Sequence, residues 1–172
     1  TRPGDVLTIY GGKTVEILNT DAEGRLILAD ALVRATEDKP DVIVDVATLT
    51  GACQVALGDR VAGLLGNDET FVADVKSAGE RVGEALWPLP ITEEMTEKVR
   101  TNSKVADLAQ HNTERWGGAL YAAAFLQEFV GEDRWAHLDI AGPAFNEKAP
   151  YGYVPAGGTG MSVATLVELA AS

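Results

Sequence analysis

The stretch that most restricts the fold is residues 42–47, which read Val-Ile-Val-Asp-Val-Ala. β-Branched side chains favour strands, and a continuous apolar run is typical of a central strand covered on both faces. An apolar stretch at 26–35 predicts a preceding helix, and a strand is predicted before that helix at 14–18. Strand, helix and strand in this order indicate an α/β fold, with a mixed, largely parallel sheet layered with helices.

Asp45 stands inside this otherwise apolar run. An unpaired carboxylate in a protein interior is costly, so Asp45 needs partners. Two interpretations are open, a structural carboxylate held by hydrogen bonds and a carboxylate directed at a metal ion, and the first is favoured. The sequence Thr48-Leu49-Thr50-Gly51-Ala52 follows the carboxyl end of the strand, where open α/β sheets bind ligands. Thr48 or Thr50 is also suited to cap a following helix.

Two acidic residues and an arginine lie close together where the first predicted strand gives way to the first predicted helix. The sequence there is Asn19-Thr20-Asp21-Ala22-Glu23-Gly24-Arg25-Leu26. If this corner is extended, alternate side chains share a side, so Asp21, Glu23 and Arg25 all point one way. Two carboxylates and a guanidinium on one side suit a divalent metal site that also holds an anion. The alternative is structural, with Asp21 as a helix N-cap, Glu23 in the first turn and Arg25 in solvent.

The whole stretch is far more specific than the spacing of its charges. Together with Ala29-Asp30-Ala31-Leu32, residues 19–26 resemble the sequence by which the leucine aminopeptidases, the cytosol aminopeptidase family, are identified. Residues 45–52 are similar to a second block of that family, and residues 136–143 to a later one. The resemblance extends over essentially all 172 residues.

The resemblance implies a dinuclear metal aminopeptidase, which releases leucine and similar N-terminal residues from peptides by a metal-activated water. Asp21 and Glu23 would be metal ligands, with Glu23 bridging two divalent ions. Arg25 would be catalytic and would hold a bicarbonate-like anion, or the developing oxyanion, beside the metals. Oxygen ligands suit Mn²⁺ or Mg²⁺, and Zn²⁺ is also compatible.

Two further segments are implied to contact the peptide. Thr48 would line the specificity pocket, and the backbones of Leu49 and Gly51 would hydrogen-bond the substrate. Ala141 and Ala144 would lie near the same pocket.

The family's remaining ligands, a lysine and two aspartates, and its catalytic lysine lie upstream of the first strand of this chain. We therefore expect residues 1–172 to be the C-terminal portion of a single α/β catalytic domain, lacking the first part of that domain and the separate N-terminal domain. The chain alone is expected to bind metal weakly and to be inactive.

The amino-acid composition limits the classes of molecule that this chain is expected to bind. A net charge of −12 argues against nucleic acid or an anionic membrane, because both require a basic face. No apolar stretch reaches the roughly 18 residues of a membrane-spanning helix. Cys53 is the single cysteine, which excludes an intrachain disulfide and fits a reducing cytoplasm; we interpret it as a core residue.

The expected partners are peptide substrates and further copies of the parent protein, because the family forms hexamers. The rival hypothesis is a non-catalytic α/β assembly or binding module that keeps the motif as inherited structure.

Neither histidine is interpreted as a metal ligand. His111 is predicted to lie on the surface, in a polar loop at 102–116. His137 and Asp139 occupy alternate positions of a predicted strand and are expected to form a hydrogen-bonded couple. A second long loop, at 142–160, is rich in Gly, Pro and Tyr and is expected to wall a pocket.

Overall fold

The computed structural model describes residues 1–171, and these divide into two compact units. In chain order the elements are β1 (Val6–Thr8), β2 (Thr14–Glu16), a 3-10 turn (Thr20–Ala22), α1 (Gly24–Thr36), β3 (Ile43–Ala47), α2 (Gly51–Leu57), β4 (Ala62–Gly66), α3 (Glu69–Val82), β5 (Leu86–Pro88), α4 (Glu93–Thr101), β6 (Leu108–Ala109), α5 (Gly118–Gln127), β7 (Trp135–Asp139), β8 (Phe145–Asn146), β9 (Gly157–Gly158) and α6 (Val163–Ala171). The first unit comprises Thr1–Ile43 and Pro90–Trp135, and the second comprises Val44–Leu89 and residues 136–171.

The first unit is built around helix α5. Strands β1 and β2 form an antiparallel hairpin, and β6 pairs with β2 in parallel. Helix α5 packs against α1 and α4, and its residues from Tyr121 to Leu126 are completely buried. Three successive alanines, Ala122 to Ala124, allow this close approach because their side chains occupy little space.

The second unit contains a four-stranded sheet in the order β3-β7-β4-β5. Strand β4 runs parallel to β5 and antiparallel to β7, which confirms the α/β class with mixed sheets. Helix α3 packs on β4, β5 and α6. The buried carboxylate of Glu84 fixes the start of α6, because its two oxygens accept the backbone N–H groups of Ser162 and Thr165, both at 2.9 Å.

Two local predictions are wrong. The apolar run predicts β3 as the covered central strand, but β3 is at one end of the sheet order and four of its five residues are only half-buried. The fully covered strand is β7, whose His137 and Asp139 break the apolar pattern yet are buried with hydrogen-bond partners.

The second concerns a very short strand. Strand β6 lies inside the predicted polar loop 102–116, and β5, at Leu86–Pro88, is equally short. Strands of two or three residues carry no periodic signal, so a hydrophobic pattern does not reveal them. Within residues 1–171, no helix is long and apolar enough to span a membrane.

Candidate functional site

Residues 19–26 form the acidic corner of the first unit. The segment Asp21–Arg25 is helical, so the extended conformation that would place Asp21, Glu23 and Arg25 on one side does not occur. Residues Thr20–Ala22 form a 3-10 turn, and Glu23 has helical angles, with φ −70° and ψ −33°. Asp21 is not the N-cap either, because the side chain of Asn19 accepts the backbone N–H of Asp21 at 3.0 Å. Residues two apart in a helix do not share a side, so the side chains of Asp21, Glu23 and Arg25 do not all point one way. Asp21 and Glu23 are exposed, whereas Arg25 is buried.

Arg25 is fixed by the end of strand β6. Its Nη1 donates a hydrogen bond to the carbonyl oxygen of Gln110 at 2.7 Å, and only 7% of the residue is exposed. The neighbouring His111 is half-buried, which corrects its predicted surface position. Burial lowers the pKa of His111, and the positive charge of Arg25 lowers it further. The guanidinium and the imidazole therefore share one electrostatic environment at this corner.

Gln110 binds the corner at three further points. Its fully buried side chain accepts the N–H groups of Leu18 and Asn19 through Oε1, at 3.1 and 3.0 Å. Its Nε2 donates to the carbonyl oxygen of Ala22 at 2.9 Å. Sequence reasoning missed this residue because a glutamine in a polar stretch carries no local signal of burial.

The donor set of the corner fits part of a divalent metal site. Asp21 and Glu23 offer hard carboxylate oxygens, the ligand type that Mn²⁺ and Mg²⁺ prefer. Two carboxylates provide four oxygens and two negative charges, whereas two ions with at least four ligands each require about eight contacts. Among residues 1–171, no group of three or more His, Cys, Asp or Glu side chains is arranged to hold a metal ion.

In the second unit, residues 48–50 connect β3 to α2. Thr48 is exposed, and Gly51 is the first residue of α2. Thr50 caps that helix, as expected for one of the two threonines, by accepting the N–H of Cys53 at 3.0 Å. The N–H of Leu49 points inward and donates to Asp139 at 3.2 Å.

The carboxylate of Asp139 joins this segment to residues after β7. Oδ1 accepts the N–H groups of Leu49, Thr50 and Ala141 at 3.1–3.4 Å, and Oδ2 accepts the hydroxyl of Thr50 at 2.7 Å. Asp139 is 1% exposed, so these bonds are shielded from water. One buried side chain thus fixes two of the segments that carry predicted peptide contacts.

The predicted couple of His137 with Asp139 is wrong. The imidazole Nδ1 of His137 is 2.6 Å from Oδ1 of Asp45 and donates to that carboxylate. The structure therefore favours the structural interpretation of Asp45. Two carboxylates in this unit, Asp45 and Asp139, are satisfied by protein groups.

The long loop at 142–160 walls a pocket, as expected. A cavity of about 140 Å³ is bounded on this side by Pro143, Tyr151, Tyr153 and Thr159. A separate polar cavity of about 260 Å³ includes Ala141 in its wall. Ala144 is half-buried, and its N–H donates to the carbonyl oxygen of Ile140 at 3.0 Å, which fixes the turn after β7.

Comparison with known proteins identifies the family. Residues 1–167 match the model of the cytosol aminopeptidase family, catalytic domain. The chain belongs to the cytosol aminopeptidase family. The match begins at the first residue and includes both the acidic corner and the segment that follows β3.

Relatives of this family member are close in sequence. The chain is 61% identical to a probable cytosol aminopeptidase of Streptomyces avermitilis over 171 residues, which are 99% of this chain and 33% of that protein. It is 60% identical to a probable cytosol aminopeptidase of Streptomyces griseus, with the same coverage. The chain thus spans about a third of the length of these curated relatives.

Solved structures share the fold. The bottromycin maturation enzyme BotP is 47% identical, with a TM-score of 0.91 over 98% of this chain and 37% of that chain. A second BotP structure, in complex with Mn, is 46% identical with the same TM-score. This family member therefore has the fold of the matching part of BotP.

Proposed function

We propose that this chain is the C-terminal portion of the catalytic domain of a metal-dependent aminopeptidase, which removes leucine and similar residues from the N-termini of peptides. The proposal rests on the acidic corner of this family member, where two exposed carboxylates and a buried arginine lie within a five-residue segment. Membership of the family supports a peptidase, and the corner supplies residues suited to its chemistry.

Asp21 and Glu23 are the proposed metal ligands, and Glu23 would be shared between two ions. Their exposure suits this role, because neither carboxylate is buried within its own unit. Divalent ions in such a site polarise the scissile carbonyl and lower the pKa of a bound water. One of the two BotP structures is a complex with Mn, which supports Mn²⁺ as a probe, and oxygen donors also accept Mg²⁺ or Zn²⁺.

Arg25 is proposed to hold an anion, either bicarbonate or the oxyanion that develops on the substrate. Its guanidinium is permanently charged and offers several N–H donors in a rigid fork. The bond from Nη1 to the Gln110 carbonyl fixes the orientation of that fork, so little conformational freedom is lost when an anion binds. Burial strengthens the attraction of the guanidinium for negative charge.

The second unit is proposed to contact the peptide. Thr48 would line the specificity pocket, Ala141 and Ala144 would lie near it, and the backbones of Leu49 and Gly51 would hydrogen-bond the substrate. Because the N–H of Leu49 already donates to Asp139, its contact with a peptide would be made by its carbonyl oxygen. Small and hydroxyl-bearing side chains let a substrate backbone approach closely.

The assembly and location are proposals of the same kind. The relatives are named cytosol aminopeptidases, which supports a cytoplasmic protein, and the proposed assembly of the full-length protein is a homohexamer. The 172-residue chain is proposed to bind metal weakly and to lack activity by itself, because Asp21 and Glu23 supply only part of a ligand shell.

The test compares the chain with the full-length protein that contains it. Mn²⁺ and Zn²⁺ are titrated into both by calorimetry, and hydrolysis of leucine 4-nitroanilide is followed. We expect two tightly bound ions and chelator-sensitive hydrolysis in the full-length protein alone. Glu23→Gln should abolish both, whereas Glu132→Gln, which also removes an exposed carboxylate of the first unit, should change neither. A full-length protein that binds no metal and cleaves nothing would support the non-catalytic module instead.

A further inference from the structure

We propose that Gln110 is a positioning residue, which holds the acidic corner in the conformation that binds metal and anion. The inference rests on the proposed function of Asp21, Glu23 and Arg25 and extends it to a residue that touches neither metal nor substrate. Gln110 is completely buried and bonded to five other residues.

The strand pairing brings Gln110 to the corner. Strand β6 runs parallel to β2, with Val15 opposite Leu108 and Glu16 opposite Ala109. Parallel strands end at the same edge of a sheet. Gln110 therefore leaves β6 where the chain leaves β2, and its own N–H continues the ladder by donating to the carbonyl oxygen of Glu16 at 3.1 Å.

The side-chain amide then completes the backbone hydrogen bonds of the corner. After β2 the chain turns away from the sheet, so the N–H groups of Leu18 and Asn19 need acceptors, and Oε1 of Gln110 serves both. Nε2 donates to the carbonyl oxygen of Ala22. An amide offers acceptor and donor together, which neither a carboxylate nor an amine of this length does.

The attachment points enclose the proposed ligands. Asp21 lies between Asn19 and Ala22, and Glu23 lies between Ala22 and Arg25, so each carboxylate is flanked on both sides by a residue bonded to Gln110. The two carboxylates themselves remain exposed. A segment ordered in advance loses less conformational freedom when it binds an ion, so its affinity is higher.

The same residue sets the position of the anion site relative to the ligands. Its carbonyl oxygen accepts Nη1 of Arg25, while its side chain holds Leu18, Asn19 and Ala22. A change that frees the side chain is therefore expected to loosen the carboxylates more than the guanidinium, because the backbone carbonyl survives any substitution.

The experiment uses the full-length protein with Gln110→Met, which keeps the side-chain length and removes both hydrogen-bonding functions. The matched control is Ser103→Ala, because Ser103 is also a buried residue of the first unit with three side-chain hydrogen bonds, to Glu16, Val105 and Ala106. Calorimetry with Mn²⁺ should show at least a tenfold weaker affinity in Gln110→Met and a wild-type affinity in Ser103→Ala.

Two further readouts separate positioning from general damage. Amide exchange at Leu18 and Asn19 should be slow in the metal-free wild type and accelerate in Gln110→Met, with exchange in α5 unchanged. Hydrolysis by Gln110→Met should recover towards the wild-type kcat at saturating Mn²⁺, because the ligands themselves are intact. Gln110→Glu, which keeps an acceptor for both N–H groups, should lose less affinity than Gln110→Met and serves as the second variant if the first does not fold.

The outcomes distinguish this inference from the proposed function. A wild-type protein that binds no Mn²⁺ would refute the function and, with it, the positioning role. Normal wild-type binding with unchanged affinity in Gln110→Met would refute the positioning role alone. An equal loss of affinity in Ser103→Ala would also refute it, because the effect would then be one of stability.

Discussion

Removing the carboxylate of Asp139 is expected to destabilise the second unit strongly. Asp139 accepts the N–H groups of Leu49, Thr50 and Ala141 and the hydroxyl of Thr50. Asp139→Ala would leave these four donors without an acceptor in a place that water does not reach, since the residue is 1% exposed. Asp139→Asn keeps one oxygen for the N–H groups but presents an amide to the Thr50 hydroxyl.

The magnitude follows from the geometry. A hydrogen bond to a charged group contributes about 1.5–3 kcal/mol, but three of these bonds are 3.1–3.4 Å long and belong at the low end. Removal of Asp139 also removes the cost of burying its charge, which offsets part of the loss. We expect Asp139→Ala to lower the free energy of unfolding by about 3–5 kcal/mol and Asp139→Asn by about 1–2 kcal/mol.

The assay is urea unfolding of the chain, followed by far-ultraviolet circular dichroism. A shift of the midpoint with an unchanged m-value identifies a loss of stability. Asp59→Asn is the control, because Asp59 is an exposed carboxylate of the same unit that pairs with Lys148 at 2.5 Å, and it should shift the midpoint little. If Asp139→Ala unfolds at the wild-type midpoint, the four hydrogen bonds do not stabilise the fold and the reasoning fails.

Three further predictions concern single contacts. Gly142→Ala should destabilise the chain by about 1–3 kcal/mol in the same assay, because the added Cβ would lie 2.0 Å from the carbonyl oxygen of Gly58 and the backbone must move; an unchanged midpoint contradicts this. Cys53 should react with iodoacetamide at pH 8 far more slowly in the folded chain than in urea. Burial is the main reason, with a smaller effect from the charge of Asp139, and together they raise the pKa of the thiol to about 11. Equal reaction rates contradict this prediction. The hydroxyl and N–H of Thr14 donate hydrogen bonds to Asp107 and lower its pKa. The ionised Asp107 therefore stabilises the fold above pH 3.8, and this stabilisation is lost as the pH falls through the lowered native pKa. Thr14→Val should raise the pKa of Asp107 in an NMR titration, and an unchanged pKa contradicts the assignment.

The longer elements could be predicted from the sequence because their signals are local. Helix α4 begins after Thr92, whose side chain accepts the N–H of Met95, and two glutamates follow in the first turn as a cap pattern predicts. Helix α3 ends at Gly83, where a positive φ of 79° suits glycine. In each case the residues that determine the boundary lie within the element or next to it.

The conformation of the acidic corner could not be predicted in the same way. An extended segment would have placed Asp21, Glu23 and Arg25 on one side, but Asn19 caps a 3-10 turn and α1 begins at Gly24, two residues before the apolar run. Charged side chains satisfy either pattern, so their spacing alone does not distinguish a strand from a helix start. The resemblance identified the family by this motif without giving the geometry of its residues.

Positioning groups are harder to recognise than candidate ligands, and the topology explains why. Gln110 is about ninety residues away from the acidic corner, and Asp139 is about ninety residues away from residues 48–50. Gln110 follows β6, and the neighbouring strand β2 leads into the acidic corner. Asp139 ends β7, and the neighbouring strand β3 leads into residues 48–50. Where a chain leaves a sheet, its backbone N–H groups lose their ladder partners, and a buried polar side chain at the end of the next strand can replace them. A polar residue at the end of a buried strand is therefore a candidate for this role even when it touches no ligand, and the two variants Gln110→Met and Asp139→Asn test the rule independently in the two units.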